Sequence, residues 1–151
     1  MHQALVDSIK SSLVLAPALI DDTAVLSKFV DTVEYGFIEW HVHVGVVDTT
    51  LAVKVQEDDE ADGSDGPTDV DGAAIVTITG ATQDLAMVII SVAKSALTKR
   101  YVGLSLDPGD GSAGCFVSAE AFRWGKSGSL AEVQETGDDD PYITSQVIRV
   151  S

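Results

Sequence analysis

EYGFIEWHVHVGVVDTTLAVKVQE, residues 34–57, decides the fold class. In its first half Ile38, Trp40, Val42 and Val44 alternate with Glu39, His41 and His43, and in its second half Leu51, Val53 and Val55 alternate with Ala52, Lys54 and Gln56. A period of two is that of a strand with one buried face. The intervening residues 45–50, GVVDTT, supply turn formers. The stretch is therefore expected to be an antiparallel hairpin with a longer loop, the central pair of a β-sandwich.

Outward from this pair the chain keeps producing short strands. Residues 23–29 suit one, and 75–79 and 85–92 suit two more, separated by a break at Gly80. In KRYVGLSLD, Val102, Leu104 and Leu106 alternate, DPGDGSAG (107–114) is a turn signal, and 115–124 read as the next strand. Residues 142–150, YITSQVIRV, alternate again. Seven to nine such segments and almost no helix predict an all-β, antiparallel β-sandwich or jelly roll over residues 24–124. Residues 1–23, interrupted by Pro17 and Ser11–Ser12, are expected to be an N-terminal arm, and 125–151 a polar loop followed by a terminal strand. Leu13, Val14, Leu15, Leu19 and Ile20 in the first of these, and Ile143, Val147 and Ile148 in the second, are apolar enough to be expected at contacts with partners or with other copies.

Composition narrows the function. The chain has 151 residues, with 9 basic against 24 acidic side chains and a formal charge of -15. That charge repels phosphate backbones and argues against nucleic acid as a partner. No apolar run approaches the roughly 18 residues of a membrane helix, and the N-terminus lacks the basic start of a secretory signal, so neither is expected. One cysteine, Cys115, excludes an intrachain disulfide and suits a small buried apolar residue.

Two patterns suggest metals. His41 and His43 project to one face of a strand, as in cupins, but the glutamate and third histidine that cupins add are not matched: Val47 and Asp48 stand at the expected distance, and the remaining histidine is His2. Residues 56–72 carry eight carboxylates and no basic residue. Within them Asp58, Glu60, Asp62, Gly63 and Asp69 loosely follow a calcium-loop spacing, although flanking helices are not expected. The other reading of both patterns is a polar sheet face and a solvated charge run. No Ser/His/Asp set or phosphate loop is present, so no catalytic residue is assigned and no enzyme or cofactor is expected.

The order of segments is itself a pattern. Residues 53–59 (VKVQEDD), 72–79 (GAAIVTIT) and 99–106 (KRYVGLSL) resemble those of the capsid cement, or decoration, proteins of tailed bacteriophages, with Gly103 where that family commonly has an arginine. The likeness spans about residues 24–124. It implies a jelly-roll virion protein, made in the host cytoplasm, that binds the capsid exterior as a homodimer or homotrimer, bridges major capsid protein subunits and stiffens the shell. A head-to-tail or tail-associated adaptor is the second reading, and a cupin-like enzyme using His41 and His43 the third.

Overall fold

The structure, a computed structural model, describes residues 9–80, 85–125 and 147–150, with the backbone alone for 75–77 and 147–150. Ten strands follow in order: β1 (Ile9–Ile20), β2 (Val25–Leu26), β3 (Val30–Asp31), β4 (Phe37–Val47), β5 (Thr50–Asp58), β6 (Thr68–Thr79), β7 (Met87–Ala93), β8 (Tyr101–Pro108), β9 (Cys115–Trp124) and β10 (Val147–Val150). One sheet has the order β1-β9-β4-β7-β10, and the other β2-β8-β5-β6, with β3 also on β8. The chain crosses repeatedly between the two sheets, with β5 and β6 paired in the second, and the resulting order is that of a jelly roll. The all-β sandwich expected from the alternation is what the chain forms.

The hairpin is not. β4 pairs with β9 and β7 in the first sheet, while β5 pairs with β8 and β6 in the second. Residues 48 and 49 form a corner between the sheets, where the Asp48 carboxylate accepts hydrogen bonds from the amides of Ser112 and Ala113 at 2.7 and 3.0 Å. As a hairpin, the two strands would have put both apolar rows on one face of one sheet, needing cover from elsewhere. In separate sheets the rows of Ile38, Trp40 and Val42 and of Leu51, Val53 and Val55 enter one core and cover each other; all six are fully buried. At about 1.5–3 kcal/mol per large apolar side chain, this facing pair is the main source of cohesion.

The N-terminal arm also requires correction. From Ile9 to Ile20 it is β1, an edge strand antiparallel to β9, with Val14 and Ile20 in the core and Leu15 packed against it. Two register shifts, between Leu13 and Leu15 and between Leu15 and Ala18, break the alternation that would have identified a strand. The sandwich thus begins before residue 24. At the other end, β10 joins the first sheet, so the terminal strand also belongs to the sandwich rather than to a separate tail.

The outer face of the second sheet is covered locally. Residues 25–31 lie across β8, and Ser27 donates its amide to the Leu104 carbonyl while its hydroxyl accepts from the Leu104 amide, both at 2.9 Å. The Phe29 ring lies over Gly103, where a Cβ would come within 2.8 Å of it. Among the described residues no helix is long and apolar enough to cross a membrane.

Candidate functional site

Among the described residues the first sheet has no such cover. Strand alternation sends Ile38, Trp40, Val42 and Val44 inward, so Phe37, Glu39, His41 and His43 of β4 point outward, beside Phe116, Ser118, Glu120, Phe122 and Trp124 of β9. Phe37 and Trp124 stack with ring centroids 5.8 Å apart. The His41 ring lies 4.7 Å from that of Phe122, and its Nε2 donates to Glu39 at 2.7 Å.

Toward the β4–β5 corner this face becomes exposed and apolar. Leu19 of β1 is the register partner of Phe116 on β9, and both are more than half exposed, at 53% and 55%. Phe116 crosses Gly45, where an added Cβ would meet the Phe116 Cβ at 3.0 Å; the missing side chain is what lets the two strands carry the ring there. Val46 follows, 58% exposed, at the register shift between β4 and β9. Leu85, 77% exposed, anchors its amide on the Gly45 carbonyl at 3.2 Å. Leu19 and Phe116 thus form an exposed cross-strand pair, Val46 and Leu85 are exposed on the neighbouring segments joined by the Leu85–Gly45 hydrogen bond, and Leu13 is exposed farther down β1. Beside Phe116 a shallow groove of about 250 Å³ is lined by Pro17, Ala18, His43, Val44, Gly45, Val117 and Ser118. Several large apolar side chains exposed at one end of a sheet make a candidate docking surface.

Leu85 adds strain to exposure. Its φ of 60° lies in the left-handed region, which costs a residue with a branched apolar side chain about 1–2 kcal/mol. A strained, almost fully exposed leucine contributes little to this domain's own packing.

No family model and no curated protein matches the chain. Solved structures similar to it include two from different sources. One is a chain of the disulfide-linked pili of Bacillus endospore appendages, 14% identical with a TM-score of 0.49 over 80% of this chain and 90% of that one. The other is from infectious bursal disease virus, Gx strain, 14% identical with a TM-score of 0.38 over 82% of this chain and 30% of that one.

The residues singled out in the sequence divide sharply. Of the association set, Leu13 and Leu19 are exposed on the outer face, whereas Val14 and Ile20 are core and Leu15 is partly buried against it, so those three are not free for a partner. Val147 and Ile148 lie on β10, and Ile143 lies outside the described residues. His41 and His43 share a face, but His41 is engaged by Glu39 and Phe122 while His43 borders the groove.

The calcium-like loop does not converge. Asp69 lies on β6, opposite Gln56, and accepts from Lys54 Nζ at 2.9 Å and Gln56 Nε2 at 2.6 Å; Asp62 accepts from the Ser64 amide at 3.1 Å; Asp58 is fully buried and accepts from the Glu60 amide at 3.0 Å. Among the described residues no three histidine, cysteine, aspartate or glutamate side chains are grouped to hold a metal ion. Phe116, Val46 and Leu85 had no signal in the sequence. Each is a single apolar residue in a different segment, and only the sheet order makes them neighbours.

Proposed function

We propose that this chain is a virion structural protein of the capsid cement type, which binds the exterior of an assembled shell, bridges neighbouring major capsid subunits and stabilises the shell. It has no catalytic role and takes no cofactor. The exposed row Leu19–Phe116–Val46–Leu85 carries this reading, because it gives a rigid sheet face something to dock with. The segment resemblance over residues 24–124 supports it independently. So does the net charge of -15, which keeps free copies apart until a lattice offers many weak contacts at once.

Burial of these four side chains at about 1.5–3 kcal/mol each, before the costs of association, is ample for a contact repeated over a lattice. The experiment is quantitative protein analysis of purified particles, with wild type and Phe116→Asp compared. A copy number comparable to that of the capsid subunits, falling at least tenfold with Phe116→Asp while the free variant keeps its fold, is expected. A copy number of about a dozen, the signature of ring rather than lattice symmetry, would instead make the protein an adaptor, and absence from particles would refute a virion role.

A further inference from the structure

The two edges of the first sheet are built differently. β1 carries Lys10, Pro17 and two register shifts, all of which discourage another strand from adding to it. β7 reads MVIISVA, without charge, proline or break, and alternates between fully and partly buried positions. Uncovered, its outer edge would be an open template for strand addition.

That edge is filled by β10, with Val147 opposite Ile89 and Val150 opposite Val92. β10 also lies beside β6 of the second sheet, so four residues close the seam between the sheets. This is the only parallel pairing among the described residues. β9 and β10 run in the same direction with β4 and β7 between them, which requires a long crossover. Twenty-two residues, 125–146, separate β9 from β10 in the sequence.

We infer that Val147–Val150 is an exchangeable strand: when copies are held side by side, β10 of one closes the β6–β7 seam of the next. The occupant is a second copy, because the segment seen to fit the edge in register is this chain's own, and each copy has one strand to give and one edge to receive it. In dilute solution the chain's own strand wins, since its tether gives it a millimolar effective concentration. At the density of an assembled array, neighbouring strands compete on equal terms, and backbone pairing then links the copies. Exchange within an array rests on the shell-binding reading, whereas the capacity for exchange rests on the sheet edge alone.

The test needs no shell. In a Cys115→Ala background, Ile89→Cys and Val147→Cys are placed on separate chains, refolded together and oxidised; adjacent strands bring paired Cα atoms within disulfide range. The expected result is a mixed disulfide at millimolar protein, at least tenfold above either same-variant dimer and lost at micromolar protein. The chain carrying both cysteines is expected to close on itself at micromolar concentration. Mixed and same-variant dimers in statistical proportion at millimolar protein would overturn exchange. Failure of the double variant to close would overturn the placement on which exchange depends.

Discussion

Glu57 holds Thr98 twice, accepting its amide at 2.7 Å and its hydroxyl at 2.6 Å, and also takes the Lys99 amide at 2.9 Å. The carboxylate continues the inward row of Leu51, Val53 and Val55 to the end of the sandwich, and there it fastens the connection between β7 and β8. Burial raises its pKa, but the Thr98 and Lys99 donors outweigh burial and hold it below the usual 4.5. A carboxyl depressed on folding stabilises the fold above its unfolded pKa, and the contribution disappears as pH falls through the lower folded value. Glu57→Gln is therefore expected to cost about 2 kcal/mol at pH 7 and less at pH 3, which is below the unfolded value. Urea denaturation at the two pH values reads the difference directly.

At Gly103 the Phe29 ring leaves no room for a side chain. Gly103→Ala is expected to destabilise the fold by about 1–3 kcal/mol, as overpacking does. In a Phe29→Ala background the same substitution should be close to neutral, because the ring it strikes is gone. Equal costs in both backgrounds, measured by thermal or chemical denaturation, would show that the ring is not the obstacle.

β1 separates two neighbours by function. Val14 is core and Leu13 is 54% exposed. Val14→Ala should cost about 2 kcal/mol, whereas Leu13→Ser should stay within about 0.5 kcal/mol of wild type. Removal of residues 1–20 takes an entire strand from β9 along with two core side chains, and the truncated chain is expected to lose its cooperative thermal transition.

How much of this was legible follows from where the signal was local. β4, β5, β8 and β9 alternate cleanly, so their positions could be read directly, β9 to the residue. What alternation cannot encode is the sheet a strand enters, which is why β4 and β5 read as a hairpin. β1 was hidden by its own edge protection, since Pro17 and the register shifts that deter aggregation also erase the period. β6 starts at Thr68, inside the acidic run, because Asp69 can face Lys54 and Gln56 across the sheet rather than solvent. Glu57 and Asp58, both buried, were indistinguishable in the sequence from the exposed carboxylates that follow them.

That same pairing of Asp69 predicts the response to calcium. With Asp69 on β6 held by Lys54 and Gln56, and Asp58 buried, the loop would have to break interactions on both flanking strands to gather its carboxylates around an ion. Addition of about 5 mM calcium, above the roughly 0.1–1 mM dissociation constants of weak extracellular sites, should move the melting temperature by less than about 1 °C. Lys54→Ala leaves Asp69 with Gln56 alone and is the variant in which a calcium-dependent rise would first be seen; a rise in wild type would mean that the loop rearranges.

Leu85 gives the sharpest separation of stability from docking. Its φ of 60° is strained for leucine and ordinary for glycine, while its side chain is 77% exposed and donates nothing to the core. Leu85→Gly relieves the strain at the price of a looser unfolded chain, so the net gain should be modest, about 0.5–1 kcal/mol. The substitution also removes the outermost member of the Leu19–Phe116–Val46–Leu85 row and should weaken binding to shells several-fold. A variant that is more stable yet binds less well is the expected pattern if the strain is kept for function, as at many binding surfaces. If Leu85→Gly instead lowers the melting temperature and leaves binding unchanged, the leucine serves the fold and the docking row ends at Val46.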